Sequence, residues 1–130
     1  MAPPGRKILV VDDEPALLKM MGVYLTRRGY AVRTMDSTDR AWAAVEGSTG
    51  EFAAAVLDAS MRGLSAEDLA LRLLGANSSL CVVMASGYPV DMAALESAAA
   101  GRVEFMHKPF TSETLTGALR RLIASQEEEF

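Results

Sequence analysis

The chain has 130 residues, of which 50% are hydrophobic and 23% charged, a composition typical of one globular domain. Thirteen Lys and Arg residues against 17 Asp and Glu give a net charge of −4, whereas a nucleic-acid-binding surface would be basic. No apolar run approaches the roughly 18 residues of a membrane span. The single cysteine, Cys81, cannot form an internal disulfide and suits a reducing compartment. We therefore expect one cytoplasmic domain over residues 1–130, with a core at about 7–124 and short flexible termini.

Five short apolar runs indicate buried strands. In chain order they are 7–11, a run that begins at 31, 53–57, 80–86 and 103–110. The third run is unbroken and ends on Asp58, a pattern typical of a strand that is buried on both faces of a parallel sheet. Helical patterns separate the runs, so the sequence predicts a doubly wound α/β domain with helices on both faces. Periodicity alone leaves the strand order open.

The helices between the runs have recognisable starts. They are predicted to begin near residues 15, 37 or 38, 65, 91 and 112, the fourth ending near 100. Pro15 suits a first helical turn because its missing N–H needs no partner there. Either Ser37 or Thr38 can cap the second helix, and the pair Ser65 and Asp68 forms a capping pattern for the third.

Polar side chains stand where four of these strands end. They are Asp12 and Asp13, Asp58, Ser86 and Lys108. Because the carboxyl ends of parallel strands meet at one edge of a sheet, we expect these side chains to lie together. Each also has an ordinary explanation, since acids favour a first helical turn and a hydroxyl or a Lys-Pro pair is common in loops. Their joint occurrence at four strand ends favours a functional site.

The chemistry of this set follows from its charges. Three carboxylates in one pocket repel one another unless they are protonated or bridged by a cation. Carboxylates with water and phosphate suit Mg²⁺, and no cluster of His and Cys supports zinc. A lysine and a hydroxyl facing that ion can bind a phosphoryl group. The residues therefore indicate phosphoryl transfer onto an aspartate, with Asp58 as the nucleophile.

Four motifs resemble those of the response-regulator receiver domain of two-component signalling. In chain order they are VVDDE (10–14), LDASM (57–61), MASGY (84–88) and FMHKPF (105–110). The resemblance runs from about residue 7 to residue 124, nearly the whole chain. It implies a flavodoxin-like (βα)5 fold with strand order 2-1-3-4-5. It also implies a signalling domain that is not an enzyme, either standing alone or belonging to a hybrid histidine kinase.

The resemblance assigns roles around the third strand. Asp58 would be the phosphoacceptor, taking a phosphoryl group from a phosphohistidine on a sensor histidine kinase or phosphotransfer protein. Asp13 would bind Mg²⁺ directly and Asp12 mainly through water. Ser60 would contribute its backbone carbonyl to the metal. The activated domain would then bind a downstream protein target.

Further roles fall on the fourth and fifth strands. Ser86 would hydrogen-bond the phosphoryl group and move towards it, and Lys108 would pair with it. Phe105 lies where the family has its switch aromatic, and the Lys108–Pro109 bond would be cis. The output surface would be the fourth helix, the fifth strand and the fifth helix.

Some positions depart from the family pattern or stand near the site. Arg62 replaces a common proline and residues 65–66 replace a common Asp-Gly, which puts the rigidity of that loop in question. Ser60 and Tyr88 flank the expected phosphoryl site and are candidates for tuning its lifetime. His107, the only histidine, is expected to be structural or solvent-facing, not a phosphodonor.

Three alternative classes of protein share part of this pattern. Haloacid-dehalogenase-type phosphatases have a second aspartate two residues after the nucleophile, where this chain has Ser60. A flavodoxin would need a loop rich in Ser, Thr or Gly after the first strand, and the acids at 12–14 would repel its phosphate. A phosphorylation-silent receiver that acts as a docking module is the second choice. Because no DNA-reading segment follows the last helix, we expect the output to be protein contact.

Overall fold

The computed structural model describes residues 6–61 and 63–127. Arg62 and the expected flexible ends of the chain, at 1–5 and 128–130, lie outside the described residues. The strands are β1 (Lys7–Val11), β2 (Ala31–Met35), β3 (Phe52–Asp58), β4 (Cys81–Ser86) and β5 (Val103–His107). The α-helices are α1 (Pro15–Arg27), α2 (Thr38–Val45), α3 (Ala66–Ala76), α4 (Ala93–Ala98) and α5 (Ser112–Glu127), and a 3-10 turn, Thr49–Glu51, precedes β3.

The strands form one parallel sheet in the order β2-β1-β3-β4-β5. The expected fold class and strand order are therefore confirmed. The first and third strands are neighbours, with Val11 paired to Leu57, and Asp58 is paired to Ala85 of β4. This register fixes which residues meet at the carboxyl edge of the sheet. No helix among the described residues combines the length and the apolar character needed to cross a membrane.

Two predicted elements were too long. The fourth helix was expected from about 91 to 100, but α4 covers only Ala93–Ala98. The Asp91 carboxylate accepts the Ala93 N–H at 2.9 Å, so residue 91 forms a turn ahead of the helix. The fifth strand was expected to reach residue 110 but ends at His107, two residues before Pro109, which has no N–H to donate to a neighbouring strand.

Serine residues cap two helices. Between Ser37 and Thr38, the structure selects Ser37, whose Oγ accepts the Arg40 N–H at 3.2 Å. Ser65 caps α3 as predicted, accepting the Asp68 N–H at 3.0 Å. Because Ser37 satisfies the cap of α2, the hydroxyl of Thr38 is left for another role.

Apolar side chains fill both faces of the sheet. Along β3, Ala55 and Leu57 belong to the core beneath α2, α3 and α4, whereas Ala54 and Val56 belong to the core beneath α1 and α5. Each fully buried Val or Leu side chain, such as Val56 or Leu57, contributes about 1.5–3 kcal/mol. With both faces covered, the ligand-accessible part of the sheet is its carboxyl edge.

Arg102, just before β5, fixes the end of α3. Its guanidinium donates to the carbonyl oxygens of Leu74 (3.2 Å), Asn77 (3.0 Å) and Leu80 (3.1 Å). The last carbonyls of a helix have no partner within the helix, and a cation is favoured beside them. One side chain therefore joins the end of α3 to the segment that leads into β4.

We expect Arg102→Ala to lower the free energy of unfolding by about 2 kcal/mol, because it removes charged hydrogen bonds to three carbonyls. Urea unfolding followed by Trp42 fluorescence measures the change. The control is Arg121→Ala, which removes an ion pair with Glu104 whose arginine side chain is 66% exposed. This control should lose less than about 1 kcal/mol, and equal losses would contradict the role given to Arg102.

Candidate functional site

Three carboxylates meet at the carboxyl edge of the sheet. One oxygen from each of Asp12, Asp13 and Asp58 lies within 4.8 Å of the others. Because β1 and β3 are neighbours and Val11 is paired to Leu57, the residues that follow these strands emerge side by side. Asp12 and Asp58 are buried, at 2% and 4% exposure, whereas Asp13 faces solvent. The sequence-predicted acids are thus brought into one half-open pocket.

Asp58 has a different contact at each carboxylate oxygen. Its Oδ1 accepts two hydrogen bonds from Ser60, one from the backbone N–H at 3.1 Å and one from Oγ at 2.9 Å. Its Oδ2 lies 3.4 Å from Lys108 Nζ. The sequence analysis gave Ser60 a backbone contact to the metal and a place beside the phosphoryl site, but it did not predict the hydrogen bond from its hydroxyl to Asp58. The Asp-x-Ser spacing could have indicated it, because an Asp side chain in a turn often accepts the backbone N–H two residues on, which brings the side chain of that residue near the carboxylate.

Lys108 reaches over two strands to the acids. Its Nζ lies 3.0 Å from Asp12 Oδ2, and its backbone N–H donates to the Ser86 carbonyl at 2.8 Å. Burial acts to lower the pKa of Lys108, but the hydrogen bond and charge of Asp12 and the charge of Asp58 raise it overall. Lys108 is therefore a fixed positive charge, and its bond to Pro109 is cis, as the resemblance implies.

The pocket keeps a surplus of negative charge. Burial raises the pKa of Asp12, and the nearby Asp58 charge acts in the same direction. Hydrogen bonds from the Glu14 N–H and from Lys108 oppose that rise without cancelling it. One ammonium faces three carboxylates, so a further cation is favoured. An all-oxygen set of carboxylates with room for water fits Mg²⁺.

Ser86 is the last residue of β4, and Phe105 lies within β5, two residues before the end of that strand. Ser86 is 4% exposed, and its Oγ accepts the Tyr88 N–H at 3.0 Å. Phe105 is half-buried and meets His107 edge to face, with ring centroids 6.3 Å apart. His107 is exposed, in agreement with a solvent-facing role, and the Tyr88 side chain is 76% exposed.

The family model described as "Response regulator receiver domain" matches residues 8–120. The chain belongs to this family. Receiver domains are the signalling domains of two-component response regulators, which supports the phosphoacceptor chemistry indicated by the acids.

Curated relatives share this domain. The DNA-binding transcriptional regulator NtrC of Rhizobium meliloti (strain 1021) is 30% identical over 120 residues, covering 92% of this chain and 24% of that protein. Transcriptional regulatory protein TcrA of Mycobacterium tuberculosis (strain ATCC 25618 / H37Rv) is 30% identical over 118 residues, covering 91% of this chain and 46% of that protein. The receiver domain described here thus spans less than half the length of these two relatives.

Solved structures share the fold. A response regulator receiver domain protein from Clostridium thermocellum superposes with a TM-score of 0.82 at 23% identity, covering 94% of this chain and 97% of that one. The receiver domain of the hybrid histidine kinase CckA gives a TM-score of 0.75 at 25% identity, covering 90% and 98%. At 23% identity, the similarity to the Clostridium thermocellum protein supports the fold alone.

Lys108 should stabilise the metal-free receiver domain. We expect Lys108→Met to lower the free energy of unfolding by about 2 kcal/mol, because the buried Asp12 carboxylate loses its ion pair and faces Asp58 unscreened. Urea unfolding in EDTA measures this loss, and added Mg²⁺ should recover part of it.

The matched control is Lys7→Met, which removes an ion pair with Glu51 whose side chains are 33% and 57% exposed. We expect that variant to lose about 1 kcal/mol or less. A Lys108→Met protein as stable as the Lys7→Met protein in EDTA would show that Lys108 does not offset the acids.

Proposed function

We propose that this receiver domain accepts a phosphoryl group on Asp58 from a phosphohistidine of a sensor histidine kinase or phosphotransfer protein. The observation that carries the proposal is the pocket of three carboxylates within 4.8 Å of one another, faced by the Lys108 ammonium. An Asp58 carboxylate oxygen would form a bond to phosphorus as the phosphorus–nitrogen bond of the donor breaks. The electron pair of that bond returns to the imidazole, which takes up a proton from solvent.

The acids would hold Mg²⁺. Asp13 and Asp58 offer carboxylate oxygens, Ser60 offers its backbone carbonyl, and Asp12 would act mainly through water. Bound there, the ion would neutralise charge on the phosphoryl oxygens.

Lys108 and Ser86 would hold the transferred group. Lys108 Nζ already lies 3.4 Å from Asp58 Oδ2, within reach of an oxygen on a phosphoryl group attached there. Ser86 Oγ accepts from the Tyr88 N–H, and no acceptor for its own proton occurs among residues 6–61 and 63–127. That proton is available to a phosphoryl oxygen. The domain would assist its own phosphorylation and dephosphorylation without being an enzyme for other substrates.

Phosphorylation would switch the α4-β5-α5 surface for a downstream protein target. Two conformations would be in equilibrium, and the phosphoryl group would stabilise the one in which Ser86 moves towards it. Ser86 is tied to β5 because its carbonyl accepts the Lys108 N–H, so its movement can reach Phe105 on that strand.

We infer a protein target and not nucleic acid, since the net charge is −4. The buried, unpaired thiol of Cys81 suits the cytoplasm.

Intact mass spectrometry tests the phosphoacceptor directly. After incubation with acetyl phosphate or phosphoramidate and Mg²⁺, we expect the wild type to gain one phosphoryl group, and EDTA to abolish the gain. Asp58→Asn should gain none. Asp68→Asn, which alters an exposed acid in the first turn of α3, should behave as wild type. A folded wild type that gains nothing from either donor would overturn the proposal and favour the phosphorylation-silent docking module.

Ser60 and Tyr88 should set the phosphoryl lifetime in opposite directions. Ser60 Oγ, bonded to Asp58 Oδ1, can orient a water at the acyl phosphate, so Ser60→Ala should lengthen the half-life about fivefold. Tyr88 lies two residues after Ser86 and its N–H donates to Ser86 Oγ at 3.0 Å, so removing its ring in Tyr88→Ala should admit water near Ser86 and shorten the half-life by a similar factor. Decay of the phosphorylated mass after donor removal measures both.

Ser79→Ala serves as the control, because Ser79 is exposed in the turn between α3 and β4. Its half-life should equal that of the wild type. An unchanged half-life in Tyr88→Ala would count against a shielding role for that ring.

A further inference from the structure

The segment that runs from the end of β3 to the Ser65 cap of α3, residues 59–64, is called here the β3–α3 loop, and the structure describes all of it except Arg62. It carries Ser60, whose N–H and hydroxyl both bind Asp58 Oδ1. The loop starts from a fixed point, because the Ala59 N–H donates to the Ala85 carbonyl of β4 at 2.8 Å. The other end of the loop, at Gly63 and Leu64, lies beyond the sheet and needs contacts from another element.

The first turn of α2 binds that far end. Thr38 Oγ1 donates to the Leu64 carbonyl at 2.5 Å, and the Leu64 N–H donates to Asp39 Oδ2 at 3.4 Å. Both backbone groups of one loop residue are thus held by consecutive side chains on a helix 25 and 26 residues earlier in the chain. Thr38 is 0% exposed, so its hydroxyl lies at a position where the helix otherwise buries apolar groups.

The loop backbone also approaches α2 too closely for a side chain. Gly63 has φ +85°, and a Cβ built there would collide with Asp39 Oδ2 and lie 3.7 Å from Thr38 Oγ1. The left-handed backbone favours glycine at this position, and any other side chain here would displace the Asp39 carboxylate that binds Leu64. The side chains of Met61 and Leu64 pack against the core beneath α2, α3 and α4, which seats the loop on the same side.

We propose that Thr38 and Asp39 are positioning residues, which hold the β3–α3 loop so that Ser60 keeps its place beside Asp58. A loop residue that is already ordered before the ligand arrives loses less conformational entropy at binding. This inference rests on the proposed function, because Ser60 is expected to give its carbonyl to Mg²⁺. The site then depends on a helix that contributes no group to the pocket.

Mg²⁺ affinity tests this positioning role without any phosphodonor. Thr38→Val keeps the shape of the side chain and removes the hydroxyl, and we expect its Mg²⁺ dissociation constant to rise about tenfold. Thr38→Ser restores the donor and should stay within about twofold of wild type. Isothermal titration of folded protein with MgCl₂ gives the constants, and urea unfolding gives the stability of each variant.

Thr116→Val is the matched control. Thr116 is also buried, at 5% exposure, and its hydroxyl donates to a carbonyl, that of Ser112, at 2.8 Å within α5. Both valine variants should lose comparable stability, but only Thr38→Val should lose Mg²⁺ affinity. If Thr38→Val binds Mg²⁺ as tightly as Thr116→Val, Thr38 is merely structural and the inference is overturned.

Asp39 supplies an independent arm in case Thr38→Val does not fold. Asp39 is exposed, so its substitution should not disturb the core. Asp39→Asn keeps an oxygen that can accept the Leu64 N–H and should bind Mg²⁺ like wild type, whereas Asp39→Ala should bind about threefold more weakly. Equal affinities for these two variants would overturn the role of Asp39. A wild type that binds no Mg²⁺ would instead overturn the proposed metal site, and this inference with it.

Discussion

Two buried carboxylates on neighbouring strands, Asp12 and Asp58, share the ammonium group of Lys108. Burying a carboxylate is unfavourable unless a positive charge or hydrogen-bond donors compensate. Lys108 lies 3.0 Å from Asp12 and 3.4 Å from Asp58, so it compensates both, but it cannot also neutralise Asp13. The remaining negative charge makes the pocket receptive to a divalent cation, and the same lysine is positioned to meet an anion delivered to Asp58. The proposed binding of Mg²⁺ and of a phosphoryl group would thus both depend on a single excess of negative charge in this pocket.

The sheet makes this imbalance possible. β3 is buried on both faces, so a slip of one residue in its pairing would move Ala54 and Val56 to the core occupied by Ala55 and Leu57. The packing of α1 and α5 on one face and of α2, α3 and α4 on the other therefore fixes where each strand ends. The charged residues therefore lie together at the carboxyl edge of the sheet, because the packed apolar residues before them fix the position and the order of the strand ends.

Much of this arrangement could be predicted from the sequence, and for a physical reason. Asp58 was located because an apolar run ends on it, and the acids after β1 follow by the same rule. The strand order came from the family resemblance, because periodicity does not encode which strands are neighbours. The ends of α4 and β5 were misplaced where local chemistry prevailed, as with the Asp91 turn. The bond from Thr38 to Leu64 joins residues 26 apart, and no sequence pattern specifies where α2 lies relative to the β3–α3 loop.

The pocket therefore has two kinds of support. Asp58 ends β3, and Asp12 and Lys108 directly follow β1 and β5, so the core that holds these strands also positions their backbones. Ser60 lies on a loop that is held by the sheet at Ala59 and by hydrogen bonds from α2 at Leu64. The departures from the family pattern, at 62 and at 65–66, fall in or next to this loop and leave the acids unchanged. A loop that lacks the usual proline has more freedom to lose on ordering, and a buried hydroxyl on α2 is one means of restricting it. The loop in which this chain departs from the family pattern is thus the loop that α2 helps to position.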